Sequence, residues 1–148
     1  MDINQSTREE WRKLGFFYDH DDKTATWKFV GSKSGLLKFC DIIESFTADP
    51  ANNKISQHEA YGPYGYLTLE TWDSPLVDCM TIKGTIAELN GLSNLIKEKL
   101  KTLNPPAQFT INEEYSPHND YFLVFELKEE GFDPASADPL LNKKVFGR

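Results

Sequence analysis

Hydrophobic and polar positions alternate near the start of the chain in a pattern that predicts a β-hairpin. Within residues 24–30, Trp27 and Phe29 alternate with polar neighbours, so one face of the strand is apolar and the other meets water. An aromatic run at residues 14–18 precedes this strand across an aspartate-rich turn, which is typical of a hairpin. We expect a sheet that is covered on one face, with Trp11 docked on the hairpin from a short helical turn.

Two later segments show the spacing of amphipathic helices. The first begins at an N-cap supplied by Ser32 or Ser34 and ends before Pro50, with apolar residues recurring at helical spacing between them. The second begins at Thr85, because Thr85 and Glu88 have the spacing of a capping box, and it ends before two consecutive prolines. Its apolar stripe comprises Ile86, Leu89, Leu92, Leu95, Ile96, Leu100 and Leu103.

Four further segments have the β-branched and aromatic content of strands, at residues 66–72, 77–83, 108–111 and 121–127. The order of elements is therefore roughly ββ-α-ββ-α-ββ. We predict an α+β fold in which two helices pack on one face of a mostly antiparallel sheet. A chain of 148 residues has the usual size of one domain. We therefore expect a single domain, with a mobile N-terminus at residues 1–7 and a coil-rich tail at residues 131–148.

Composition and charge argue against several classes of partner. The chain has 16 basic and 23 acidic residues and a formal net charge of −7 at pH 7, which disfavours binding to nucleic acids or anionic lipids. No apolar run approaches the ~20 residues of a transmembrane helix, and no secretory signal follows Met1. Cys40 and Cys79 lack the spacing of a disulfide framework or a metal site. We expect a soluble, cytoplasmic protein that binds neither nucleic acid nor membranes.

The common catalytic motifs are absent from the sequence, including those of P-loops, dinucleotide folds, zinc proteases, serine hydrolases and dithiol oxidoreductases. His58, Glu59, Tyr61 and His118 could assemble a metal-dependent or small-molecule site, and the protein would then be an enzyme or a sensor. The alternative is that histidines beside acidic residues in loops are merely solvated. No sequence pattern determines the relative positions of these side chains, so we predict no catalysis, no cofactor and no metal.

Residues 58–67, the tyrosine loop, contain three of the six tyrosines of the chain. Two glycines and a proline within the loop favour turns that would project Tyr61 and Tyr64 from a stiff connection. Tyrosine is common at recognition surfaces because it offers a large contact area with few rotatable bonds. The alternative is a corner in which the rings pack beneath their own loop. The predicted partner-binding residues here are His58, Glu59, Tyr61 and Tyr64.

Acidic residues are concentrated in one later part of the chain. Residues 107–139 contain 8 acidic residues and 1 basic residue, and these acids cluster at the two ends of the last predicted strand pair. Such a surface is either ordinary solvated exterior or a docking surface for a basic partner, with fast and salt-sensitive association. The candidate contact residues are Glu113, Glu114, Tyr115 and Asp120.

A helix that opens with Gly35-Leu36-Leu37-x-Phe39 is followed by a polar linker, by His58 with a strand after it, and by the Thr85-capped helix. This order of features, over residues 24–127, resembles the immunity proteins of bacterial polymorphic toxin systems, in particular the type called immunity protein 32. The resemblance implies a cytoplasmic, non-catalytic protein that binds and blocks a cognate toxin domain, often a nuclease. An acidic inhibitor would agree with this role, because it can replace the phosphate backbone at a basic nuclease site.

Our first hypothesis is therefore a bacterial inhibitor of a toxin with a basic surface. The metal or small-molecule site around His58 and His118 is the second hypothesis. A third is a structural component of a larger assembly that uses the acidic strands as an adaptor surface.

Overall fold

The computed structural model describes residues 3–142 and confirms the α+β class. The helices are α1 (Ile3–Leu14), α2 (Lys33–Ala48), α3 (Ile86–Lys101) and the short α4 (Pro139–Asn142), with 3₁₀ turns at Pro50–Asn53 and Pro134–Ala137. The strands are β1 (Phe17–Asp21), β2 (Thr26–Ser32), β3 (His58–Tyr61), β4 (Leu67–Thr71), β5 (Leu76–Val77), β6 (Thr81–Gly84), β7 (Ala107–Ile111) and β8 (Phe122–Lys128).

The strands form two four-stranded sheets with the same pairing scheme. The first sheet has the order β1-β2-β8-β7 and the second has the order β3-β4-β6-β5. In each sheet the central pair is parallel and both outer pairs are antiparallel, so most pairings are antiparallel as expected. Two sheets form in place of one because the four strands between α2 and α3 pair with one another through short connections.

Both long central helices begin where the sequence predicts. The Gly35 amide donates to Ser32 Oγ over 3.0 Å at the start of α2. At α3 the capping box is complete, because the Glu88 amide donates to Thr85 Oγ1 over 3.1 Å and the Thr85 amide donates to Glu88 Oε1 over 2.9 Å. The predicted stripe of α3 is buried at Leu89, Leu92, Ile96 and Leu100.

A column of aromatic rings joins α2 to the first sheet. Phe29 of β2 stacks on Phe39 of α2 at 4.7 Å between ring centroids and on Phe125 of β8 at 4.9 Å. Phe109 of β7 stacks on the same Phe125 at 4.7 Å. The alternation of Trp27 and Phe29 with polar residues thus marks the inward face of β2, and both residues are fully buried.

The helix α1 packs over the first hairpin. Trp11 lies 4.8 Å from Phe17 and 5.3 Å from Tyr18 between ring centroids, which confirms its expected docking. Residues 3–7, assigned from sequence to a mobile terminus, lie within α1, and Thr7 is buried. The part of the predicted tail at residues 131–142 forms a 3₁₀ turn and α4, while residues 143–148 lie outside the described range. No helix within residues 3–142 is long and apolar enough to cross a membrane.

Candidate functional site

The tyrosine loop comprises β3, the turn at residues 62–66 and the first residue of β4, and this turn is held against Tyr18, a buried residue of β1. The Tyr18 hydroxyl donates to the Tyr61 carbonyl oxygen, and the Leu67 amide donates back to the Tyr18 hydroxyl over 3.3 Å. The backbone of Gly62 lies so close to the Tyr18 ring that a Cβ atom at this position would be 2.6 Å from the Tyr18 hydroxyl. The φ angle of Gly62 is +86°, which also favours glycine here. The turn at residues 62–66 is therefore anchored to the first sheet on both of its sides.

Tyr64 is half-buried and packs against the core. Its ring meets Trp11 edge-on at 5.8 Å, and its hydroxyl donates to Asp138 Oδ2 over 2.6 Å. Burial first, and then this bond to Asp138, raise the pKa of Tyr64, so the hydroxyl stays protonated and continues to donate. Tyr61 is half-buried as well, and its hydroxyl donates to Glu59 Oε2 over 2.6 Å. The expectation that these two rings project from the loop is therefore wrong.

Tyr66 is the ring of this loop that faces solvent, with 45% of its surface exposed. It lies 5.4 Å from Tyr64 and 6.1 Å, edge-on, from the His20 ring of β1. The His20 ring is held in place by two neighbours: its Nδ1 lies 2.8 Å from Asp22 Oδ1, and the ring packs on Trp27 at 5.2 Å between centroids. Rings from two sheets thus meet at one surface.

These rings line a cleft of about 420 Å³, which we name the aromatic cleft. It lies between β1, the tyrosine loop and α4, and its volume falls in the ~300–1,000 Å³ range of ligand sites. Among residues 3–142, no lysine or arginine lines it. Its walls are formed by Phe17, Tyr18, Asp19, His20, Tyr64, Tyr66, Asp138, Pro139 and Leu140.

Two carboxylates belong to the wall of the aromatic cleft. Asp138 is almost completely buried, and it accepts from Trp11 Nε1 over 2.9 Å and from the Leu140 amide over 2.9 Å as well as from Tyr64. Asp19 is half-buried; its Oδ1 accepts from the His20 amide over 2.8 Å, and it has no ion pair within the described residues. The cleft therefore combines aromatic faces with negative charge.

The predicted contact residues around residues 113–120 have mixed environments. Glu113 and Asp120 are exposed. Glu114 is exposed but pairs with Lys99 over 3.0 Å, and hydrogen bonding to the Asn112 amide, followed by Lys99, lowers the pKa of its carboxyl group. Tyr115 is half-buried, and its hydroxyl donates to the Lys83 carbonyl over 2.5 Å. Only part of this group is thus available to a partner.

The acids at the other end of this strand pair are mostly engaged within the chain. Glu126 lies between Lys28 and Lys128, at 3.1 and 2.9 Å. Glu130 accepts from the Ser34 hydroxyl over 2.6 Å, and Asp133 pairs with Arg12 over 3.0 Å. The acidic excess of residues 107–139 is therefore weaker as a surface charge than the sequence indicates.

The structure does not bring the hypothetical His58 and His118 site together. His58 and Glu59 lie on β3, at one edge of the second sheet. His118 lies in the connection that binds β5 at the opposite edge, where the Asp120 amide donates to the Val77 carbonyl over 3.0 Å. Three strand spacings, roughly 14 Å, separate these edges. Within residues 3–142, no group of three or more His, Cys, Asp or Glu side chains could hold a metal ion.

Comparison with known proteins adds no relative. No family model matches the chain, no curated protein matches it significantly, and no solved structure matches it significantly. The resemblance to immunity proteins therefore stays a prediction that rests on the sequence features described above.

Several residues of the aromatic cleft were not predicted as site residues. Tyr66 was assigned to the start of a strand, although its place in the tyrosine loop was a usable signal. His20 stands between two aspartates, which marks it as a polar loop residue but does not indicate ring contacts. Asp138 and Leu140 lie in the segment assigned to coil, and no sequence pattern connects them to residues 64–66, more than seventy positions earlier.

Proposed function

We propose that this protein is a non-catalytic bacterial inhibitor that acts in the cytoplasm by binding a cognate toxin domain with a basic surface. The observation that carries the proposal is the aromatic cleft, where exposed apolar groups and carboxylates lie side by side. Tyr66 is 45% exposed and Leu140 is 61% exposed, and both border the cleft. Tyrosine is one of the residue types most enriched among the few side chains that dominate protein–protein affinity.

The cleft is also held in shape before any partner arrives, which supports binding. The bonds of Tyr18 to the tyrosine loop and of Asp138 to Trp11 and Tyr64 connect four separate parts of the chain. A preorganised surface loses less conformational entropy on association than a mobile loop does. This supports a role in tight recognition of one partner.

The acidic connection around residues 113–120 supports the same proposal in a secondary role. Glu113 and Asp120 are exposed, and Glu113 has no ion pair within the described residues. Exposed acids outside the contact surface accelerate association with a basic partner through long-range attraction. We therefore assign steering to this connection and affinity to the aromatic cleft.

The experiment is co-expression with the protein encoded by the neighbouring open reading frame, the toxin that we propose as its partner, with growth and complex affinity as the readouts. The wild-type chain should restore growth, and Tyr66→Ala should weaken the complex by about tenfold or more, as at aromatic hot spots. Ile55→Ala is the matched control, because Ile55 is 54% exposed and precedes β3 at the end of the hairpin away from Tyr66. Failure of the wild-type chain to bind or protect would overturn the proposal.

A further inference from the structure

We infer that the aromatic cleft receives an arginine side chain of the partner protein. This inference rests on the proposed function, since it names the chemistry by which the same surface recognises a basic partner. The observations that carry it are the ring faces of Tyr64 and Tyr66, the Asp19 carboxylate that lines the same cleft, and the size of the cleft.

The rings provide the flat surface that a guanidinium group requires. Tyr64 and Tyr66 lie 5.4 Å apart with an angle of 34° between their planes, and His20 meets Tyr66 edge-on. An open wedge of this kind leaves a face of Tyr66 accessible, in agreement with its 45% exposure. A cation over an aromatic face is attracted by the negative charge of the ring face, and guanidinium stacks there better than ammonium does because it is planar and weakly hydrated.

Asp19 provides the charge and the hydrogen-bond acceptors. Its Oδ1 accepts from the His20 amide, which fixes the carboxylate at the wall, and no other bond engages Oδ2 within the described residues. Guanidinium donates along two parallel N–H groups, which match a carboxylate better than the single ammonium of lysine does. Because this carboxylate is half-buried, solvent screens its attraction for a cation less than at a fully exposed site.

The size and the remaining walls agree with a side chain as the occupant. The cleft of about 420 Å³ is large enough for one extended arginine side chain together with adjacent backbone of the partner. Pro139 and Leu140 form an apolar rim on which the methylene groups of the arginine would lie. The carboxylate of Asp138, which is buried and lines the same cleft, adds negative potential.

The first test titrates the full chain with a short capped Gly-Arg-Gly peptide and follows backbone amide shifts by NMR. The matched probe is the same peptide with citrulline, which keeps the shape of arginine and removes its charge. We expect saturable shifts at Asp19, His20 and Tyr66 with the arginine peptide, and binding at least about fivefold weaker with citrulline. Equal binding of the two peptides, or no saturation by about 50 mM, overturns the inference.

The second test uses variants of the protein. Asp19→Asn should lower the affinity for the arginine peptide by about fivefold or more. Glu113→Gln, which alters an exposed acid on a distant connection, should leave this affinity unchanged. Equal affinities of wild type and Asp19→Asn contradict the inference. If Asp19→Asn binds the toxin domain as tightly as wild type does, the inference fails and the proposed function stands. If the peptide binds but no toxin domain does, the proposed function fails and the arginine site stands.

Discussion

The two sheets share one pairing scheme, yet they differ in how deeply they are buried. The first sheet has central strands of seven residues each, and the stack of Phe39, Phe29, Phe125 and Phe109 covers it on the helix side. The second sheet has central strands of five and four residues, and its edge strand β3 is exposed from His58 to Ala60. Equal topology therefore does not give equal burial.

Under the proposed function, this difference separates the region that supplies most of the stability from the region that recognises the partner. The first sheet buries the purely apolar rings of Phe29 and Phe125 beside Tyr18 and Trp27, whose polar atoms are hydrogen-bonded. We therefore expect it to contribute most to the free energy of unfolding. The hairpin of the second sheet places tyrosines at its turn, where each hydroxyl of Tyr61 and Tyr64 finds a carboxylate. The aromatic cleft forms where that turn meets β1 of the first sheet. The comparison predicts that mutations in the two regions have different consequences.

The largest expected effect is the loss of a ring from the first sheet. Phe29→Ala should lower the free energy of unfolding by about 3–5 kcal/mol, because it removes the ring that stacks on both Phe39 and Phe125. Denaturant unfolding measures this change. A cost below about 1 kcal/mol would mean that the ring stack is not the stabilising centre of the fold.

A smaller effect is expected at the turn of the second hairpin. Gly62→Ala should cost about 1–3 kcal/mol, because the new Cβ meets Tyr18 at 2.6 Å and φ is +86°. Gly65→Ala is the control, since Gly65 also has a positive φ of +65° but has no atom within 4 Å of its Cβ position. In thermal unfolding, Gly62→Ala should have a lower melting temperature than Gly65→Ala. The reverse order would show that the loop is not held against Tyr18.

Still smaller effects on stability are expected at the rim of the cleft. Tyr66→Ala and Ile55→Ala should each change the free energy of unfolding by less than about 1 kcal/mol, because both side chains are about half exposed. Calorimetry of the free protein measures this. A large loss in Tyr66→Ala alone would mean that the ring is structural, and its effect on partner affinity would then reflect misfolding.

The smallest effect concerns the polar contact between α2 and α3. Hydrogen bonds to Glu44 hold the pKa of its carboxyl group below its usual value. The larger cause is the bond from the Lys97 ammonium, and the smaller is the bond from the Ser93 hydroxyl, which donates over 2.7 Å. A lowered pKa in the folded state stabilises the protein above about pH 4.3, the value in the unfolded chain, and this contribution disappears as pH falls through the folded value. Glu44→Gln should therefore lose stability at neutral pH and match wild type in strong acid. An equal difference at every pH would exclude the ionised pair as its cause.

The sequence predicted those parts of the fold that depend on local pattern. The N-caps at Ser32 and Thr85, the buried stripe of α3 and the inward face of β2 all follow from spacing within about ten residues. The division into two sheets could not be predicted in this way, because pairing between β2 and β8 joins segments about a hundred positions apart. Local periodicity carries no information about such a partner.

The candidate site was predicted less well for the same reason. The tyrosine loop was identified as unusual, but the orientation of its rings depends on Trp11, Tyr18 and Asp138, which lie in three other parts of the chain. The acidic excess at residues 107–139 follows directly from the sequence, whereas two of the cations that pair with it, Lys28 and Arg12, lie about a hundred positions away or more. Charge composition indicates a kind of partner, and only the tertiary contacts show which charges remain available.

The most direct test is amide hydrogen exchange of the protein alone and in complex with the toxin domain that we propose as its partner. Because the aromatic cleft is assigned to affinity, exchange should slow at residues 19–22, 64–66 and 138–141 on binding, and it should stay unchanged at residues 54–57 at the far end of the hairpin. The steering role assigned to residues 113–120 requires little change there. Slowed exchange at residues 113–120 with no change around the cleft would contradict the account.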